Sequence, residues 1–381
     1  MARGNSTKRG AKSWRLKFEG GEPDPLTGKR HTRYVTFNGT KKGAQGELTR
    51  LLAEVDAGIS VAPSPVTVAD YLQGWLDGAD YLAGKTRERY RALAEQQIIP
   101  HLGAMALQKL RPSYIADWHI RLLRSGGKDG NALSARTVSH AHRVLHTALA
   151  RAVEREVIGR NVASVVRPPK VETEEVEILT ANQIGNLFTK LRGHRLLPIA
   201  ALALGAGLRR GELCALRWGG VDLDEATLRV EYAMEQTRAG LKVKAPKSRH
   251  GRRTINLPAN VVAILRAHLS RQQEQRLALG VGRASPEDLV FTLPDGSLWS
   301  PDYLSRVWRR TTISRGLPSV GLHALRHSHA SALIAAGVDV LTISRRLGHG
   351  SPAFTLAVYG HLFANTDASA ARAIDAAMGG C

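Results

Sequence analysis

The stretch LGHGSPAFTLAVYGHL, residues 347–362, sets a tyrosine, Tyr359, ten positions after a glycine-flanked histidine, His349. Ser351 can cap a helix, and Pro352, with its fixed φ and missing N–H, suits the first helical position. A short helix therefore starts here and carries Tyr359 about two turns in. Taken alone, such a tyrosine is a core residue. Whether it is a reactive one depends on the rest of the chain.

Working outward, HALRHSHAS (323–331) puts His323 and Arg326 three apart and His323 and His327 four apart, so either pair shares a helix face. The second spacing also fits a zinc pair. A zinc protease needs glutamate after the first histidine, however, and Ala324 stands there; no cluster of cysteines or carboxylates offers further ligands, so no metal is expected. His327 and His329 read as structural histidines. GAGLRRGELCALRW (205–218) places Arg209 at a glycine-rich helix junction with Glu212 one turn on, by itself an ordinary helical ion pair. KSRHGRR (247–253) is a basic turn between two strands and a phosphate-contact candidate.

Charge narrows the partner. The 381 residues hold 54 Lys and Arg against 33 Asp and Glu, a net charge of +21, which calls for a polyanion. No basic amphipathic helix with a strong apolar face stands out, so nucleic acid is favoured over a membrane. The longest near-apolar run, Leu196–Leu208, contains a proline and is too short to span a bilayer. The basic start MARGNSTKRGAKSW has no apolar core behind it and is not a signal peptide. Two cysteines, Cys214 and Cys381, give neither a disulfide framework nor a metal spacing, and a reducing, cytoplasmic setting is expected.

The length calls for two or three domains. In residues 1–60, SWRLKFEG alternates Trp14, Leu16 and Phe18 with Arg15 and Lys17, a half-buried strand with a basic outer face. DPLTGKR reads as a turn and TRYVTF as a second strand. A helix follows from Thr40, its first turns weakened by Gly43 and Gly46. Residues 1–42 carry eleven Lys and Arg against three Asp and Glu. GISVAPSPV (58–66) is a linker. Four helices then form a bundle over 67–166: Thr67 and Asp70 resemble a capping box, Pro100 closes the second helix, Gly126 and Gly127 end the third, and Ser134 opens the fourth. RPPKVETEEVEI (167–178) is a second linker. Thr180 and Gln183 form another capping box, opening a unit with helices over roughly 180–218, ATLRVEYAM, GLKVKAP and RRTINLP as strands, and helices again after Pro258. Candidate DNA contacts are Arg15, Lys17 and Arg33 in the N-terminal unit and Arg87 and Arg143 on the bundle.

Arg209, the KSRHGRRTI turn, HALRH, LGHGS and Tyr359, in this order, resemble the tyrosine recombinase family, the integrases of phages and mobile elements, over essentially 67–381. The motifs are weak singly and specific jointly. The resemblance implies a multidomain, mainly α fold. It would comprise an arm-type DNA-binding domain over 1–60 (a three-stranded sheet plus helix), an all-α core-binding domain over 67–166 and an α+β catalytic domain over 175–381. It implies a catalytic set of Arg209, Lys247, His323, Arg326, His349 and Tyr359, with Lys244 the alternative lysine. Lys247 is preferred because SRHGRRTINLP after it matches the family's run into the next strand.

The chemistry fits those residue types. Displacement at phosphorus builds negative charge on the non-bridging oxygens, which two guanidiniums, Arg209 and Arg326, can clamp. His323 and His349 can donate hydrogen bonds or shuttle a proton. Tyr359 attacks, its phenolate favoured by the cationic pocket, and Lys247 protonates the departing 5′ oxygen. The phosphotyrosine ester keeps the bond energy, so neither ATP, metal nor other cofactor is required. The implied partners are double-stranded DNA at core and arm attachment sites, three further copies of the chain in a tetramer, and a directionality factor or host DNA-bending protein, in a nucleoid-associated bacterial setting. The rivals are a type IB topoisomerase-like enzyme, which uses the same chemistry without strand exchange, and a DNA-binding regulator with a dead site. The six intact residues argue against the second. An RNA-binding protein lacks a stacking platform here.

Overall fold

The computed structural model describes residues 4–20, 31–56, 64–172, 176–246, 249–363 and 367–378. The chain divides into two compact units, Met1–Thr173 and Glu174–Cys381.

The first unit opens with an antiparallel sheet of β1 (Gly4–Lys8), β2 (Ser13–Gly20) and β3 (His31–Asn38), in that order, followed by α1 (Lys41–Asp56). GNSTK has no apolar alternation; it forms β1 by pairing with the edge of β2, Ser6 opposite Leu16. The alternation in β2 sends Leu16 and Phe18 inward against Ala44 and Leu48 of α1. Gly43 and Gly46 do not interrupt that helix. Residues directly opposite in a sheet share a face. Arg15 faces Thr36 and Lys17 faces Tyr34, on the open side, whereas Arg33 faces Phe18 and so lies on the side that α1 covers. The DPLTGKR turn falls wholly outside the described residues, as does most of the 58–66 linker.

The helices that follow are α2 (Val68–Asp77), α3 (Gly84–Leu93), α4 (Ile99–Leu102), α5 (Pro112–Ser125) and α6 (Ala135–Glu154). The Thr67–Asp70 capping box forms in both directions, and Val68, Tyr71, Leu72, Trp75 and Leu76 are the buried stripe of α2. Pro100 does not close the second helix. A π turn (Ala94–Ile98) leads into α4, and Pro100 occupies its first turn, where its missing N–H costs nothing. Gly126 caps α5, and Ser134 accepts from the Thr137 N–H at the start of α6.

The second unit runs α7 (Ala181–Lys190), α8 (Leu197–Gly205) and α9 (Arg210–Ala215), then a sheet and a hairpin, then α10 (Ala259–Ala278), α11 (Pro301–Ser314), α12 (Leu322–Ala335), α13 (Val340–Leu347), α14 (Pro352–Tyr359) and α15 (Asp367–Ala377). ATLRVEYAM, expected as one strand, is two. Thr227–Val230 (β5) lies between β4 (Val221–Asp222) and β8 (Arg253–Asn256), while Ala233–Thr237 (β6) leaves to pair with β7 (Gly240–Lys244). Leu228 and Val230 go into the main core, which α8 fills from the middle. A second, smaller core gathers Ala330, Ile334, Ile343, Leu347 and Tyr359 from α12, α13 and α14. Among the described residues, no helix is long and apolar enough to cross a membrane.

Candidate active site

The C-terminal end of α13 organises the site. A helix leaves its last carbonyls without intrahelical partners, and its dipole makes that end negative. Gly348 closes α13 in the left-handed conformation, φ 64°. Three arginines converge on the three successive carbonyls there. Arg253 Nε donates to Arg346 O at 2.7 Å, Arg326 Nη2 to Leu347 O at 2.7 Å, and Arg209 Nη2 to Gly348 O at 2.9 Å. A Cβ on Gly348 would come within 2.9 Å of Arg253 Nη1 and 3.0 Å of His250 O, so only glycine both takes this conformation and leaves room for the guanidinium.

Arg209 is the residue before α9. Glu212, one turn on, accepts from the Arg209 N–H at 2.8 Å and from its Nη1 at 2.9 Å. The same carboxylate, 3% exposed, accepts from Arg253 Nη1 at 3.1 Å and Nη2 at 2.9 Å. Burial would raise the Glu212 carboxyl, yet the hydrogen bonds and charge of Arg253, with Arg209 added, hold it below the usual carboxylate range. Arg326, 2% exposed, also donates from Nη1 to Gly207 O. Gly207 turns the chain between α8 and α9 at φ 63°, with His329 and Leu347 so close that a side chain would collide with them. Burial first, then Arg209, draws Arg326 down to about 9, still cationic at neutral pH.

His349 has no free nitrogen. Nε2 lies 3.0 Å from Arg326 Nη2 and Nδ1 2.8 Å from Thr355 Oγ1. Arginine only donates, so Nε2 accepts and the proton sits on Nδ1. Burial and then Arg326, Arg209 and Arg253 push this imidazole down to about 3, so it is neutral and orients Arg326. His323 keeps solvent access, and its ring stands edge-on to His327 at 4.6 Å. Desolvation by its neighbours, with the charges of His327, Arg326 and Arg209, brings it down to about 4.

Tyr359 ends α14 at 1% exposure. Ser351 takes the N-cap position there, but its side chain makes no capping bond. The Tyr359 hydroxyl meets His327 Nδ1 at 2.7 Å. The expected phenolate does not follow in this state: burial raises the phenol, and Arg326 and Arg209 only partly oppose it. Lys244 is ion-paired with Glu235 across the β6–β7 hairpin, and Lys247 lies outside the described residues.

Arg209, Arg326, His349 and Tyr359 are thus brought together from separate elements, with His323 beside them. Sequence reading missed Arg253, His327 and Thr355. Arg253 carried a signal: it is two residues from buried Ile255 in β8 and shares its face. His327 carried none beyond its place on the His323 helix. Of the remaining candidates, Arg15 lies over the Tyr34 ring at 3.9 Å, Lys17 and Arg143 are exposed, and Arg87 pairs with Asp80 at 2.7 Å. Among the described residues there is no group of three or more His, Cys, Asp or Glu side chains that could hold a metal ion.

Comparison with known proteins gives the family. Residues 177–366 match the phage integrase family, and residues 67–123 match the phage integrase N-terminal SAM-like domain. An integrase of Streptomyces ambofaciens is 30% identical over 337 residues, covering 84% of this chain and 82% of that protein. A XerC-like tyrosine recombinase of Caldanaerobacter subterraneus subsp. tengcongensis is 26% identical over 360 residues, covering 89% of this chain and 90% of its own. In fold, the chain is similar to the Tn1549 transposon integrase solved with transposon right-end DNA, at TM-score 0.68 and 20% identity over 82% of this chain and 99% of that one. It is also similar to a lambda integrase dimer bound to a core site, at TM-score 0.55 and 18% identity over 91% and 92% of the two chains.

Proposed function

The chain belongs to the phage integrase family of tyrosine recombinases, and from that premise we propose that this site-specific DNA recombinase cleaves and rejoins DNA through a phosphotyrosine on Tyr359. The observation that carries the reading is the α13 C-terminus, where Arg209 and Arg326 are fixed by carbonyl and carboxylate partners beside the buried tyrosine. Arg209 and Arg253 share the Glu212 carboxylate while Arg326 bonds only carbonyls and His349, so the pocket keeps positive charge for a phosphate.

The scissile phosphate binds with its non-bridging oxygens toward Arg209 and Arg326, which need not move far because their remaining donors are already anchored. Solvent-accessible His323 adds a hydrogen bond from the same helix face as Arg326. His349 acts through Arg326. Tyr359 attacks phosphorus and leaves a 3′-phosphotyrosine and a free 5′ hydroxyl, which takes its proton from Lys247, or from Lys244 once that side chain leaves Glu235. The 5′ hydroxyl of a partner strand then reverses the steps. Integration or excision of a mobile element by four protomers on two duplexes follows the same chemistry, with accessory DNA-bending or directionality proteins setting the direction. The sheet over 1–60 is the arm-binding domain, the bundle over 67–166 holds the core site, and 175–381 carries the catalysis. Arg15, Lys17, Arg87 and Arg143 supply phosphate contacts.

Tyr359→Phe tests the reading, since it keeps the ring and its packing. The variant is expected to bind DNA and to form no covalent adduct with nicked duplex; an adduct would move the nucleophile elsewhere.

A further inference from the structure

We propose that His327, not His323, takes the proton from Tyr359 as the tyrosine attacks phosphorus, and returns it when the strand is rejoined; this rests on the reading of Tyr359 as nucleophile.

The Tyr359 hydroxyl has one hydrogen-bond partner among the described residues, His327 Nδ1 at 2.7 Å, and the tyrosine is 1% exposed. A phenol buried this deeply must place its proton on an acceptor. Were Nδ1 to carry the hydrogen, the phenol proton would have no acceptor among the described residues. The tyrosine therefore donates, Nδ1 is unprotonated, and the imidazole proton sits on Nε2. The O–H bond already points at the base that is to receive it, within the distance required of a general base.

The other two histidines do not fit the role. Both nitrogens of His349 are engaged, by Arg326 and Thr355. His323 touches the His327 ring, not the tyrosine. The charged and titratable groups set against His327 among the described residues are Arg326 and His323 on its own helix and Tyr359 on α14, with the Arg209 charge acting on both His323 and Tyr359. Burial, then the Arg326 charge, holds His327 below the ordinary imidazole value, so it is the free base at neutral pH. In the attack, the Oη–H bond breaks, Nδ1–H forms, Oη–P forms and P–O5′ breaks, the leaving oxygen taking a proton from the lysine. The imidazolium so formed is offset by negative charge building on phosphorus. In rejoining, Nδ1–H protonates Oη as it leaves.

The test uses the full chain and a nicked duplex selected from a random pool by covalent trapping on the wild-type protein. His327→Asn offers an acceptor oxygen close to the Nδ1 position but no basicity. It is expected to bind the duplex normally and to cleave about 10²-fold or more slowly in single turnover, within the range for a lost general base. The wild-type rate should fall only at a pH under the ordinary imidazole value of about 6.5, because burial and Arg326 lower His327, and the variant should lack that fall. Replacing Tyr359 with a fluorinated tyrosine of more acidic phenol should restore much of the variant's rate and change the wild type little. Cleavage by His327→Asn within threefold of wild type, an unchanged pH profile, or no rescue by the acidic tyrosine overturns the proposal. An adduct on Tyr359→Phe, or no duplex trapped by the wild type, overturns the nucleophile itself and this proposal with it.

Discussion

The helical bundle and the catalytic unit both bury polar side chains, but among the described residues only the catalytic unit buries charged ones. In the bundle, His119 and His142, 5% and 6% exposed, share one hydrogen bond of 3.1 Å between α5 and α6. Both are held neutral: burial lowers His119, and burial with the charges of His119 and His146 pushes His142 down to about 4. The catalytic unit buries neutral groups such as His349 but also charged ones: Glu212 and Arg326, with the Arg253 side chain at 6% exposure. A buried ion network adds little net stability over apolar packing. The catalytic unit keeps one, with more cations than carboxylates, and in the function proposed above a phosphate completes it. The bundle's pair completes itself.

The sharpest break of this comparison is Arg253→Met. It leaves Glu212 buried with half its donors gone, and stability measured by urea unfolding of the catalytic unit should drop by about 3–5 kcal/mol. Adding Glu212→Gln should recover much of that loss, because the uncompensated charge is then gone. Equal losses in the single and double variants would mean that the two groups are not coupled.

The bundle should instead answer to pH. Folded His142 titrates below its unfolded value, so the unfolded chain binds the proton first and stability declines as pH falls from about 6.5 to 4, by roughly 3 kcal/mol in all. Hydrogen exchange of α5 and α6 amides should accelerate over that window in the wild type and stay flat in the double variant His119→Leu, His142→Leu. Identical acceleration in both would place the sensitivity elsewhere.

The smallest expected effects are on the N-terminal sheet. Arg15→Ala and Lys17→Ala, on the open face, should each lower the salt dependence of DNA binding by about one counterion. Arg33→Ala, on the helix-covered face, should leave it unchanged. A loss of slope with Arg33 alone would reverse the assignment of faces.

Much of this was legible in the sequence, for reasons that differ by region. The bundle's stripes, such as Val138, Ala141, Leu145, Ala148 and Ala152, are all buried, because helical periodicity records burial directly. The two capping boxes formed as read. The strand over 226–234 was misread because alternation continues across Glu231 and Tyr232, while the chain changes sheets there. Pro100 reads as a stop because proline breaks a helix interior, whereas here it stands in the first turn of a new helix, α4, where its missing N–H costs nothing. In the site, the motif residues were found by order along the chain. Their partners were not, because Arg253 reaches Glu212 across 41 residues and His327 reaches Tyr359 across 32, and no local pattern records such pairings.

The central claim is that Tyr359 carries the DNA. The direct measurement is to trap the wild-type chain on a nicked duplex, digest the adduct with nuclease and trypsin, and locate the remaining nucleotide by mass spectrometry. The account predicts a 3′-linked nucleotide on the peptide spanning 347–372, on Tyr359, with a free 5′ hydroxyl on the released strand. A nucleotide on another residue, Tyr303 or Tyr232 for example, or a 5′-linked one, would contradict it.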